Sequence, residues 1–549
     1  MGERSKLMKD FWRGGELFVW MTASGVALSL LMVAGMLGLI MINGLGQFWP
    51  GALQETTLKT QETVIGQVVG EEVIPNSITP DSPAGQRRFR YRVGNRDVFG
   101  SEYRWINAAD IVSSAHPEDL TLVERREWGP AFGRITVGVE GAATGSASGS
   151  SWTTVKTLVE RANQLRRRIE HLERDEIGSI NYRIEKARLA RHALTLSGRL
   201  SSGDAEKDQA LLDQMTALER DYLTKTEALE RLHKEAGQEV LFLTVSTGRS
   251  VRLSLDQVLA VSRPNGMHWG EKLLAYVQSL WLFVSTEPRE ANTEGGIFPA
   301  IFGTVLMVFL MTLAVMPFGV MAAVYLREYA NQGLLVRLVR IAVNNLAGVP
   351  SIVFGVFGLA FFVYALGGTI DQWLFPEALP NPTFGTGGIL WASLTLALLT
   401  VPVVIVATEE GLSAVPRDFR EGSLGLGATK FETLRHVILP CALPGILTGL
   451  ILAMARAAGE VAPLMLTGVV KLAPALPLDE YLPFLHLDRK FMHLGFHIYD
   501  VGFQSPNVEA AKPMVYMTTL ILILVVVLLN WAAVRLRNRL RRRFTASAV

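Results

Sequence analysis

Apolar positions follow two regimes along the 549 residues. Six stretches are almost unbrokenly apolar, near 17–42, 297–325, 346–366, 387–408, 444–467 and 514–534. A helix crossing about 30 Å of hydrocarbon needs about 20 such residues, so each stretch predicts a transmembrane span. The first is too long for the apolar core of a cleavable signal, about 7 to 15 residues, and no small-x-small cleavage site follows it cleanly. It reads as an uncleaved anchor. Between spans one and two the pattern changes. Over 57–140 and 239–262, short runs rich in Val, Ile, Tyr, Phe and Thr alternate with turn signals such as Gly94-Asn95 and Thr247-Gly248, which predicts strands and hairpins. Over 152–237, Val155, Leu158, Ala162, Leu165, Ile169 and Leu172 keep a 3-4-3-4 spacing. Leu211, Met215, Leu218, Tyr222, Leu229 and Leu232 hold the same register, interrupted at Lys225. Ser201-Ser202-Gly203-Asp204 breaks the periodicity, with Asp204 as a candidate N-cap. The segment predicts an antiparallel, coiled-coil-like helical hairpin, inserted into one β domain through a Gly/Ser-rich hinge at 141–151.

Composition agrees with a lipid-embedded chain: 49% of residues are hydrophobic, 19% charged, and the mean hydropathy is +0.27. A formal charge of +2 leaves no global basic field, which disfavours a nucleic-acid binder. Local clusters set the orientation. Arg4, Lys6, Lys9 and Arg13 precede span one; Arg327, Arg337 and Arg340 separate spans two and three; Arg417, Arg420, Lys430 and Arg435 separate four and five. Six arginines from Arg535 to Arg543 follow span six. By the positive-inside rule all four clusters are cytoplasmic. The expected order is a cytoplasmic N-terminus (1–16), span one (17–42), a periplasmic α+β domain (43–296), a membrane core with five spans (297–534) and a basic cytoplasmic tail (535–549). That tail serves topology or contact with anionic lipid. The hairpin, whose surface carries 16 basic and 15 acidic residues over 152–237, reads equally as an arm for a partner or as a spacer.

Several chemistries fail on spacing. One cysteine, Cys441, allows no intrachain disulfide and no cysteine metal cluster. No G-x-x-x-x-G-K-[ST], H-E-x-x-H or G-x-S-x-G is present. His493 and His497 share a helix face, but no third ligand completes a metal set, so neither metal nor cofactor is expected. Between spans four and five, within 409–440, the chain reads Glu421-Gly422-Ser423, three residues, Gly427, nine residues, then Val437-Ile438-Leu439-Pro440. This resembles the EAA loop of bacterial ABC importer permeases, with Glu421, Gly427, Leu439 and Pro440 matching outright. Gly427 permits a sharp turn between two short helices, and Pro440 is expected to end the second where span five begins. The resemblance implies an all-α type I importer permease whose loop couples to a separate ATPase.

Asn345-Leu346-Ala347-Gly348-Val349-Pro350-Ser351 in span three, Ala455 to Leu464 in span five, and Gly295-Gly296-Ile297 at span two are similar to the phosphate-specific transport (Pst) permeases. Ala462-Pro463-Leu464 favours the PstA type over PstC. The likeness covers about 290–545 and leaves 43–290 unaccounted for. It implies inorganic phosphate as substrate, a PstC-like permease partner, a PstB-like ATPase dimer that binds the ATP, and a PstS-like periplasmic phosphate-binding protein. Arg456 in span five costs about 2.5 to 3.5 kcal/mol in lipid, so it should face a path or a bundle interior. Glu460 lies one helical turn on and is placed to pair with it. The two read as a substrate path, where a guanidinium suits an oxyanion, or as a structural ion pair. Asn344 and Asn345 offer amide donors or helix caps, and Pro350-Ser351 is a candidate interruption of span three aimed at an anion. Sulfate, molybdate or phosphonate fit the same residues, and a phosphate-sensing scaffold is the alternative from another class.

Overall fold

The computed structural model describes residues 16–74, 86–139, 152–196, 202–505 and 508–546. Six helices among them are long and apolar enough to cross a membrane: Phe18–Gly46, Phe298–Tyr329, Ser351–Leu374, Ile389–Ser413, Lys430–Gly459 and Ala511–Leu540. Ile389–Ser413 is the best enclosed, because spans two and five pack along it. Met307, Met311, Leu396, Leu399, Val404, Leu450 and Ala453 form that core. Its close approach depends on small residues: a Cβ on Gly445 would stand 2.7 Å from the Gly411 Cα, so any larger side chain there would push spans four and five apart.

Spans three and five differ most from expectation at their starts, where a proline stands in each. Span three begins at Ser351 rather than at 346. Pro350 is extended (φ −55°, ψ 136°) and precedes the helix, so Pro350-Ser351 starts the span instead of interrupting it. Asn344 and Asn345 close a separate amphipathic helix, Leu334–Leu346. Span five starts earlier, at Lys430, and ends earlier, at Gly459. Pro440 does not end a helix. Leu434–Ile438 forms a π turn just before it, and that wider turn accommodates a ring lacking an N–H.

The extra domain has two antiparallel sheets. Strands β1 (Gln54–Leu58), β2 (Thr63–Val73), β3 (Arg87–Arg92), β4 (Tyr103–Asn107) and β5 (Ile111–Ala115) form the first, in the order β4-β3-β2-β1-β5. Strands β6 (Thr121–Arg125), β7 (Ala131–Val139), β8 (Glu239–Thr244), β9 (Ser250–Ser254) and β10 (Val258–Ser262) form the second, in the order β10-β6-β7-β8-β9. Leu53, Ile65, Leu120 and Phe132 are buried together where the sheets meet. Thr247-Gly248 turns β8 into β9, with Gly248 at φ 76°. Gly94-Asn95 instead opens a one-turn helix, Arg96–Phe99, and the Asn95 amide donates to the Phe132 carbonyl (2.9 Å), joining the two sheets.

The hairpin's outgoing arm is continuous: Trp152–His171, a π turn at Leu172–Ile177, then Gly178–Leu196. Its return arm is Ser202–Gln238, so Asp204 lies inside the first turn rather than capping it. The hinge at 141–151 lies outside the described residues. Val155, Val159 and Ala162 pack on Leu241, Leu243 and Val258 of the second sheet. Lys225, the one break in the seam, pairs with Glu176 of the facing π turn. Farther out, Tyr182 stacks on Tyr481 (4.5 Å between ring centroids) and donates to the Leu482 carbonyl (2.9 Å), while His192 Nδ1 lies 2.6 Å from the Glu377 carbonyl oxygen. The hairpin therefore rests on the loops between spans three and four and between five and six, on the side opposite the EAA-like loop.

A strap, Pro288–Arg289 paired with Glu294–Gly295, joins this domain to span two. Burial pushes the Glu294 carboxyl up to about 7; Glu290 and Glu102 reinforce the rise, and Arg92 and Arg289 oppose it. The folded state then holds this proton more tightly than the unfolded one. The stabilisation is full below about pH 4.5 and is lost as pH rises towards about 7. Glu294→Gln should flatten that part of the stability profile, raising the melting temperature at about pH 8 relative to the parent while changing little at about pH 5. Identical pH slopes in variant and parent would refute the assignment.

Candidate functional site

The EAA-like loop is built from two short helices and the turn between them. Pro416 starts Arg417–Gly425. The Leu426 N–H donates to Gly422 (3.1 Å) and the Gly427 N–H to Leu424 (3.0 Å), which satisfies carbonyls at the helix end. Gly427 has φ 92° with nothing near its missing Cβ, so glycine is required there by conformation and not by space. Thr429 then caps the next helix in a capping box with Glu432, and Ser423 Oγ meets Thr433 Oγ1 at 2.9 Å to hold the two helices together.

Polar contacts anchor this unit to the membrane core. Arg420 pairs with Glu328 at the end of span two (3.1 Å) and donates to the Leu412 carbonyl of span four (2.6 Å). Beside the unit, Arg340 of helix Leu334–Leu346 pairs with Glu409 of span four (3.2 Å). The opposite surface is apolar and exposed: Phe419, Leu424, Phe431 and Leu426, the last 91% exposed. Glu421 and Gly427 lie in this exposed unit, whereas Leu439 and Pro440 sit half-buried at the root of span five. The four motif residues thus divide into a surface pair and a packing pair. Glu328 and Glu409 escaped sequence reasoning, and their only signal was the basic cluster they neutralise.

Arg456 occupies the last turn of the span-five helix, which ends at Gly459 within the apolar stretch 444–467. Glu460, the next residue after that helix, is extended (φ −79°, ψ 134°), and a second short helix, Ala462–Thr467, follows. Span five is therefore discontinuous at Glu460. The expected pair forms across the break, with Arg456 Nε 3.5 Å from Glu460 Oε1. The side chains remain 36% and 22% exposed, on a face that this chain leaves partly open. Asn344 lies elsewhere: with Arg327, Arg340, Glu409, Glu410 and Ser413 it lines a cavity of about 610 Å³ beside the EAA-like loop.

His493 and His497 are fully buried, and burial pushes them down to about 3 and about 4, so both are neutral. His493 Nδ1 accepts from the Gly495 N–H (3.1 Å), capping helix Leu494–Tyr499, and His497 Nδ1 lies 3.4 Å from Thr518 Oγ1. Among the described residues no three His, Cys, Asp or Glu side chains are grouped to hold a metal.

The family described as binding-protein-dependent transport system inner membrane component matches residues 315–542. The chain is 31% identical over 270 residues to the probable ABC transporter permease protein YqgI of Bacillus subtilis, covering 48% of this chain and 85% of that one. It is 34% identical over 250 residues to the phosphate transport system permease protein PstA 1 of Mycobacterium tuberculosis H37Rv, covering 45% and 72%. Among solved structures it is similar to the MetNI methionine ABC transporter in inward-facing form, with TM-score 0.33, 18% identity, and 48% and 98% covered. The identity to the two permeases runs over most of their length, and the chain belongs to the PstA-type permeases of the ABC importers.

Proposed function

We propose that this chain is one half of a heterodimeric permease that moves inorganic phosphate inward across the bacterial cytoplasmic membrane. The observation that carries the coupling part is the exposed unit around Gly427, apolar on its outer surface and held on its inner one by Arg420, which is ion-paired to span two and hydrogen-bonded to span four. A PstB-like ATPase dimer would receive Phe419, Leu424, Leu426 and Phe431 in a groove, and Arg420 would pass its motion to spans two and four. The likeness to a mycobacterial phosphate transport system permease supports phosphate as cargo. Arg456 supports an oxyanion, because a guanidinium presents forked donors that match it, and Glu460 neutralises it between transport events. A PstC-like subunit would close the open face beside this pair, and a PstS-like protein would deliver the anion on the side of the sheet domain.

Uptake of radiolabelled phosphate in cells lacking this chain, with its partners still expressed, tests the cargo. Loss of phosphate uptake, restored by the full chain, is expected. Intact phosphate uptake with loss of sulfate, molybdate or phosphonate uptake would reassign the cargo, and intact uptake of all four would favour a sensing scaffold. Orientation has its own test. In a Cys441→Ser background, Leu223→Cys on the hairpin should react with a membrane-impermeant thiol reagent in intact cells, whereas Leu426→Cys should react only after lysis. The reverse pattern would overturn the assignment of sides.

A further inference from the structure

Helix Trp269–Ser285, which links the sheet domain to the strap before span two, has an unusual surface. Trp269, Leu273, Val277 and Trp281 repeat every four residues and so form one stripe, with Leu274 beside it. All five are exposed, Trp269 and Trp281 at 71% and 69%. Glu271, Gln278 and Ser285 form an exposed polar edge next to the stripe. Leu282 is exposed on the far side of that edge, and Ala275, Tyr276, Ser279, Leu280, Phe283 and Val284 are half-buried or buried. Tyr276 lies against Trp49 (5.8 Å between ring centroids) and Phe283 against Phe48 (5.2 Å), both just past the end of span one. Phe283 is also buried with Ile297 at the start of span two and with Met514 and Met517 near the start of span six. Its carbonyl accepts from the Ile297 N–H (2.9 Å).

These contacts place the middle and the end of the helix at the level where three spans leave the membrane. Its 17 residues reach only about 25 Å and begin with Glu271 and Lys272 in the first turns, so it does not cross. Span one, which ends just before Phe48 and Trp49, is likewise exposed and apolar along nearly its whole length. Tryptophan at both ends of the stripe suits the headgroup boundary, where one edge of the ring is wet and the other is not.

We infer that helix Trp269–Ser285 lies in the plane of the membrane, with the Trp269, Leu273, Val277 and Trp281 stripe seated in the lipid of the outer leaflet. It holds the sheet domain at a fixed height above the spans and binds lipid by apolar contact, because the stripe carries no charge to attract anionic headgroups. The inference is independent of which anion the permease carries.

Spin labels test it on the full chain in a Cys441→Ser background, reconstituted in vesicles of phosphatidylethanolamine and phosphatidylglycerol. Two neighbouring pairs of positions are labelled one at a time: Val277 and Gln278, and Leu273 and Glu271. The ratio of collisions with oxygen to collisions with a water-soluble nickel chelate should be at least about threefold higher at 277 than at 278, and likewise at 273 than at 271. Equal chelate access within both pairs would put the stripe in water and overturn the inference. Labels at 273 and 277 that are immobilised and shielded from both reagents would overturn it in favour of a protein covering, either a second copy or a partner subunit. Either pair suffices if one variant fails to fold.

Discussion

Gly427→Pro is expected to abolish substrate uptake while leaving the protein in the membrane at parental abundance. Gly427 sits at φ 92°, and proline is confined near φ −65°. The substitution also deletes the N–H that donates to the Leu424 carbonyl. The turn must therefore open, and the helices Arg417–Gly425 and Lys430–Thr433 lose their relative angle. Nothing packs against this glycine, so the damage stays in the loop and the six spans keep their contacts. Gly427→Ala is the graded control. A left-handed backbone costs an alanine about 1–2 kcal/mol, which should lower uptake without eliminating it. Uptake, membrane abundance and substrate-stimulated ATP hydrolysis in the reconstituted complex are the measurements. The expected signature is loss of stimulation together with loss of uptake. Parental uptake by the proline variant would refute the coupling role of this loop.

The second large effect is expected at the break in span five. Arg456→Gln should reduce phosphate uptake at least about a hundredfold, because a neutral amide cannot offset the desolvation of a phosphate anion. Glu460→Gln leaves Arg456 without its neutralising partner between events, so bound anion should accumulate and turnover should stall. Neither change is expected to disassemble the permease. The pair is partly exposed in this chain, and a water-filled path between the two permease subunits would keep the remaining charge hydrated. A buried structural lock would behave otherwise, with both single variants lost from the membrane and the double variant Arg456→Met with Glu460→Met restored. Complex recovery and uptake are read together for all three. Recovery of uptake in the double variant would sink the path assignment.

Six spans, the β-rich segments and the hairpin were legible because each rests on a local period that lipid or a neighbouring seam enforces. Their ends were not. Pro350 and Pro440 present the same ring to the chain, yet one begins a span and the other lies within one. The difference is the π turn at Leu434–Ile438, which depends on how Leu434 and Ile438 pack with Leu412 and Ile446. The membrane-plane helix escaped notice because 17 residues with an early Glu-Lys pair fall short of a span, and its apolar stripe acquires meaning only beside Phe48, Trp49 and Met514.

For the candidate site, sequence alone determined which residue types stand at the spacing of the EAA loop, that Gly427 needs a backbone closed to other residues, and that Arg456 and Glu460 lie within reach of one another. These follow from covalent spacing and from the energetic penalty on charge and on left-handed backbone. Only the tertiary structure decided that Arg420 and Arg340 find Glu328 and Glu409, that Asn344 belongs to a cavity beside the EAA-like loop, that the hairpin springs from the second of two sheets, and that Tyr182 reaches Tyr481. Each of these joins segments tens to hundreds of residues apart. Which partners meet is set by how whole helices and sheets pack, and no local pattern in the chain encodes that.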